Sequence, residues 1–137
     1  MKIEAYLNFD GRCDEAIEFY KSAVGAKVTR LVRFNECPEP PPSGTFPPEI
    51  MDKVMHANLL IGETNVLMSD GRATNTVKFS GISLTLNVAS DADGAKFFSA
   101  LGAGGKVTMP LGKTFFASSF GMLTDKFGVA WMIVVER

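Results

Sequence analysis

The sequence predicts an α+β fold made of two tandem βαβββ modules, and three observations predict it. Strand-like and helix-like stretches come in the order strand, helix, three strands, and that order occurs twice. The two halves also match as text: Tyr6-Leu7-Asn8-Phe9 resembles Thr85-Leu86-Asn87-Val88, and Gly25-Ala26-Lys27-Val28-Thr29 resembles Gly104-Gly105-Lys106-Val107-Thr108. Both matches lie 79 positions apart (85 less 6, 104 less 25), as an internal duplication requires. Finally, 46% hydrophobic and 21% charged residues over 137 positions suffice for an ordinary core without disulfide staples. The expected layout is one domain over 1–137, with module one at about 1–70 and module two at about 81–137. A proline-rich loop at 35–52 and a connector at 71–80 interrupt it.

The elements follow in order. In Ile3–Phe9, Ile3, Ala5, Leu7 and Phe9 alternate with Glu4, Tyr6 and Asn8, which predicts a half-buried strand. Asp10-Gly11 makes a turn. Cys13, Ala16, Ile17, Tyr20 and Val24 then fall at helical spacing, and Gly25 supplies the left-handed stop. Lys27–Phe34 is the second strand. Asn35–Asp52 holds six of the seven prolines, so it stays out of any sheet interior and reads as a surface loop, a lid or an arm exchanged with a neighbour. Met55–Ile61 and Asn65–Ser69 form a hairpin. In the second half Ile82–Val88 alternates, Ser90 with Asp93 marks a helix start, and Gly102–Gly105 ends that helix. Lys106–Met109, Phe116–Thr124 and Val129–Val135 complete the strands. The last is apolar on both faces, Ala130, Met132 and Val134 opposite Trp131, Ile133 and Val135, so both faces are expected to be covered.

Composition excludes several functions. A net charge of −1 without a Lys/Arg run argues against nucleic acid or an anionic membrane as partner. The longest apolar stretch is too short to span a bilayer, and no secretory segment is expected at the N-terminus. Cys13 and Cys37 fit no metal-binding spacing and need no disulfide, so a cytoplasmic setting is the expectation. There is no GxSxG elbow, and Gly102–Gly105 follows a helix where a phosphate loop precedes one.

Tyr6-Leu7-Asn8-Phe9 with Gly11 and Cys13, Met55-His56-Ala57, Leu67-Met68-Ser69-Asp70, Met109-Pro110-Leu111 and Asp125-Lys126-Phe127-Gly128-Val129 with Trp131-Met132 carry a family resemblance. On them the chain resembles the PhnB-like subgroup of the vicinal-oxygen-chelate superfamily, which includes glyoxalase I, extradiol dioxygenases and bleomycin-resistance proteins. The subgroup often bears a demethylubiquinone methyltransferase-like label. The resemblance implies two modules whose curved sheets enclose a cleft, with helices outside, commonly in a homodimer. Metal ligands of the superfamily would fall at Glu4, Val66 or Met68, Ser83 and Met132. Of these only Glu4 is a strong donor, so no metal and no cofactor are expected.

The side chains expected to face the cleft and bind a small molecule are Tyr6, Asn8, Met68, Ser83, Thr85 and Met132, with Asp70 and Asn87 beside them and Phe115 and Phe116 at the rim. His56 is the one histidine. A lone histidine in an apolar strand is ordinarily a satisfied structural residue; a cleft-facing base is the alternative. Two functions are therefore carried forward: a metal-free, homodimeric binding protein, or an enzyme using His56 with a carboxylate from Glu4 or Asp70. A structural dimer whose cleft the proline-rich loop fills is the third.

Overall fold

Leu7 and Phe9 set the inner face of the first strand, and the Asp10-Gly11 turn sends the chain back across it. Asp10 takes a left-handed backbone (φ 55°), which aspartate tolerates better than most residues. In a computed structural model that describes residues 1–39, 41–71 and 76–137, this produces β1 (Tyr6–Asn8) and α1 (Cys13–Val24). Pro40 of the proline run and 72–75 of the expected connector lie outside the described residues. The remaining elements are β2 (Lys27–Arg33), β3 (Val54–Ile61), β4 (Thr64–Ser69), β5 (Ser83–Val88), α2 (Asp91–Gly102), β6 (Lys106–Gly112), β7 (Ala117–Thr124) and β8 (Ala130–Glu136). The chain divides into two units, Met1–Val77 and Lys78–Arg137.

In the first unit the strand order is β1-β4-β3-β2, with β1 parallel to β4 and the other pairs antiparallel. Helix α1 lays Cys13, Ala16, Ile17, Tyr20, Ala23 and Val24 against the sheet, where Leu7, Phe9, Ala57, Leu59, Val66 and Met68 are buried. Tyr20 and Phe9 meet there with ring centroids 6.1 Å apart. Burying an apolar side chain of this size contributes about 1.5–3 kcal/mol, and truncating the fully buried Leu59 to alanine would cost about 2–5 kcal/mol. Gly25 ends the helix in the left-handed conformation (φ 67°), as its position predicts.

The second unit repeats the order as β5-β8-β7-β6, again with one parallel pair. Trp131, Ile133 and Val135 lie under α2. The helix approaches so closely that a Cβ on Gly94 would stand 2.9 Å from Val135 Cγ2 and one on Gly121 2.6 Å from Phe98 Cε2. Ser90 caps the helix, its Oγ accepting from the Asp93 N–H at 3.1 Å.

The α+β class and the repeated βαβββ order agree with expectation. Some local readings do not. Ile3 is exposed, because regular pairing begins at Tyr6, and the Ala5 carbonyl, accepting from the Leu67 N–H, extends the ladder on that side by one residue. The proline-rich segment is mostly exposed, as expected of a surface loop, and carries hydrogen bonds at both ends. It opens with a 3-10 turn at Phe34–Glu36 and closes with another at Pro48–Ile50. Phe34 N–H donates to Lys53 O and Asn35 N–H to Met51 O, so both ends of the segment are stitched together.

Candidate functional site

Direct partners in a sheet share a face, so the pairings sort the expected site residues. In the first unit Tyr6 pairs with Leu67 and Asn58 also pairs with Leu67, placing these three on the face opposite α1. His56 is on that face too, since its ring meets Tyr6 at 5.6 Å between centroids. Tyr6 Oη lies 3.1 Å from His56 Nδ1, and His56 Nε2 lies 2.8 Å from Asn58 Oδ1. A carboxamide oxygen can only accept, so Nε2 donates to Asn58 Oδ1, while Nδ1 shares the second hydrogen bond with the Tyr6 hydroxyl. The result is a chain, Tyr6 to His56 to Asn58, that ends on the half-exposed phenol of Tyr6 (53% exposed). Asn58 is a member that the sequence reading missed, although its position two residues after His56 on one strand places both on one face.

Asn8 lies on the same face, accepting from the Asp10 N–H at 2.9 Å, and packs over Gly71, where any Cβ would collide with its carboxamide. Met68 does not belong with it. Met68 is paired with Leu7 and fully buried against α1, so the expectation that it faces the cleft is overturned; Leu67 occupies that position instead. The phase was misread because NVLMS is apolar at both 67 and 68, and only the parallel pairing with β1 decides between them.

Asp70 is likewise not a catalytic carboxylate. It is fully buried, with Oδ1 accepting from Gly11 N–H (2.8 Å) and Cys13 N–H (2.7 Å), and Oδ2 from Val54 N–H (2.9 Å). It caps the start of α1 and fastens β3. Glu4 forms an ion pair with Lys2 at 3.5 Å. His56 therefore has hydrogen bonds to a phenol and a carboxamide, and neither goes to a carboxylate. Cys13 is an inert core thiol, pushed up by burial first and by the neighbouring Asp70 charge second.

In the second unit Ser83, Thr85 and Asn87 pair with Ala130, Met132 and Val134, all on the face opposite α2. Met122 and Phe120 join them from β7. This face offers hydroxyl, carboxamide and thioether groups among apolar ones. Phe115 is 91% exposed and stacks edge-on against Phe116.

The superfamily's ion does not fit these residues. Val66 and Met68 lie buried on the α1 face, Met132 presents a thioether, and Ser83 presents only a hydroxyl. Among the described residues no three His, Cys, Asp or Glu side chains gather as a metal centre needs.

A pocket of about 370 Å³ opens in the first unit between the proline-rich segment and the ends of β3 and β4. Phe34, Phe46, Ile50 and Met55 form its apolar walls, and Thr45 and Ser69 supply hydroxyls. Nothing in the sequence located it, because its walls come together from residues 34 to 71 only after folding.

Two βαβββ units with a helix on one face of each sheet and mixed polar groups on the other make a fold of the glyoxalase/bleomycin-resistance type. The chain belongs to the family described as 3-demethylubiquinone-9 3-methyltransferase, whose profile matches residues 1–134, and within the superfamily it is PhnB-like. It is 37% identical to Protein YjdN of Escherichia coli strain K12 over 144 residues, covering all of this chain and 97% of that protein. The crystal structure of protein PA1353 from Pseudomonas aeruginosa is 42% identical with a TM-score of 0.84, over 99% of this chain and 98% of that one. The PhnB protein from Bacillus cereus is 26% identical with a TM-score of 0.80, over 98% and 99%. A glyoxylase/bleomycin resistance protein/dioxygenase domain from Frankia sp. EAN1pec shares the fold at a TM-score of 0.64 and 17% identity, over 98% and 94%. Each sheet here has one parallel and two antiparallel pairings, which differs from the doubly wound sheet that cradles nucleotide-type cofactors. Among the described residues no helix is long and apolar enough to cross a membrane.

Proposed function

We propose that this is a metal-free, homodimeric, cytoplasmic protein that binds a small organic molecule through the open faces of its sheets. Tyr6, Asn8 and the His56–Asn58 pair are the contacts in the first unit, and Ser83, Thr85 and Met132 those in the second. The observation that carries this reading is the composition of the Tyr6 face. Tyr6, His56 and Asn58 are joined to one another, while Asp70, the carboxylate that follows β4, has both oxygens committed to backbone N–H groups. Such a surface can hydrogen-bond and pack against a ligand but has no ligand set for a hard ion.

Elemental analysis of untagged protein, followed by ligand binding after exhaustive dialysis against EDTA, tests it. Unchanged binding in the metal-free protein is the expected result. A stoichiometric Mn, Fe, Ni or Zn whose removal abolishes binding overturns it.

A second reading, an enzyme of the same superfamily in which His56 moves a proton, is favoured by the Tyr6–His56 contact. It does not use Asp70. General acid–base catalysis is worth about 10²–10⁴-fold, so any turnover detected should fall at least a hundredfold in His56→Gln. Equal turnover by that variant removes His56 from the chemistry.

A further inference from the structure

We infer that the pocket beneath the proline-rich segment is a binding site for an uncharged, aromatic-sized group that carries an N–H or O–H donor. This rests on the reading of the chain as a small-molecule binder and names the class of ligand.

The size comes first. About 370 Å³ is within the range of small-molecule sites and is far more than packing defects leave. The walls come next. None of the described lining residues is charged, and Phe34, Phe46, Ile50 and Met55 present ring faces, branched carbon and a polarizable thioether. An ionised group drawn among these described walls would lose hydration without gaining a counter-charge from them.

The two hydroxyls then set polarity. Thr45 Oγ1 already donates to Pro42 O at 2.7 Å. Ser69 Oγ accepts from Gly71 N–H at 2.9 Å and directs its own hydrogen toward Val54 O at 3.5 Å. The Thr45 hydroxyl has spent its one donor on a backbone carbonyl and keeps only acceptor capacity. The complementary ligand therefore donates: a phenol, an indole or an arylamine N–H fits, and a carboxylate does not.

The wall is also fixed in place before a ligand arrives. Phe34 is buried and holds Phe46 edge-on at 4.8 Å between centroids. Thr45 N–H and Oγ1 both return to Pro42 O, Ile50 is buried, and its carbonyl accepts from Lys53 N–H. Pro47, directly after Phe46, limits the backbone on that side. Little ordering is left for binding to impose.

The test uses N-phenyl-1-naphthylamine, an uncharged arylamine whose emission rises in apolar surroundings, on EDTA-dialysed full-length protein. Saturable one-to-one binding is expected, displaced by indole. 1-Anilinonaphthalene-8-sulfonate, the same skeleton with a sulfonate, should bind at least tenfold more weakly. Thr45→Trp, which fills the pocket from an exposed position, and Phe46→Ala, which removes a wall, should each weaken the arylamine at least tenfold with the unfolding midpoint of Thr45→Trp unchanged. No arylamine binding, equal affinity for the sulfonate, or affinity indifferent to both variants overturns the assignment. If binding ignores Thr45→Trp but falls in Tyr6→Phe, the pocket assignment fails while the small-molecule reading stands. If binding appears only when a divalent ion is restored, the metal-free reading fails instead.

Discussion

Asp70 and Asp125 carry out the same task at two places in the chain. Asp70 accepts three backbone N–H groups at the start of α1 and β3. Asp125 accepts from Phe127 N–H (2.9 Å), Val129 N–H (3.0 Å) and Trp131 Nε1 (2.9 Å), which locks the turn before β8 and orients the indole. Both are buried, and each holds several donors that would otherwise be buried without partners. In Asp70→Asn an amide NH₂ would oppose one of those N–H donors. Stability should fall by about 3 kcal/mol, the cost of one lost charge-assisted bond plus one unsatisfied buried donor. Urea denaturation measures this, and an unchanged midpoint would show that Asp70 is not structural. The acidic positions were legible in the sequence, but their roles were not. Asp70 next to Gly71 at a strand end reads equally as a cleft carboxylate or a cap, and the donors that decide the matter come from residues 57 and 59 positions earlier and 16 earlier.

At the scale of elements, alternation located the first strand of each module, apolar or β-branched runs between turns located the others, and periodic apolar positions located both helices, with ends displaced by a few residues. Strand phase failed only where both faces were apolar, at Leu67 and Met68. The contact that closes the first unit, Arg33 to Asp14, was not legible at all, since it joins an exposed helix position to the end of β2 across 19 residues. Arg33 donates from both terminal nitrogens to Asp14 at 2.8 Å and also to Asp52 O at 2.9 Å, tying α1, β2 and the end of the proline-rich segment together. The Arg33 hydrogen bond holds the Asp14 carboxyl below its ordinary 3.8. A carboxyl depressed in the folded state adds stability above its unfolded pKa and loses it as pH falls through the folded one. Asp14 is 54% exposed, so solvent screening limits the pair to about 1 kcal/mol even with two parallel bonds. Asp14→Asn should thus be less stable than the parent by up to that amount at pH 7, and the two should converge as pH falls below 3.8. A difference that persists at pH 2 would mean that the side chain acts through packing.

At the scale of the whole molecule, the same strand order in both units gives each sheet an exposed terminal strand, β2 in the first and β6 in the second. Unpaired edges with apolar side chains invite association. Val28 and Leu31 are exposed on β2, and Val107 and Met109 on β6, with Phe115 and Phe116 following within residues 107–116. Large exposed apolar groups this close in sequence are candidates for burial against another chain. The proposed homodimer covers such a surface, and Phe115 is the side chain with most to bury. Light scattering at tens of micromolar should therefore give twice the chain mass of 14.8 kDa. Phe115→Asp removes an exposed ring without touching either core, so its far-UV spectrum and unfolding midpoint at matched subunit concentration serve as the control for folding. It should shift the mass toward a single chain. A parent that scatters as one chain sinks the dimer, and a variant that remains dimeric moves the interface away from the β6 end.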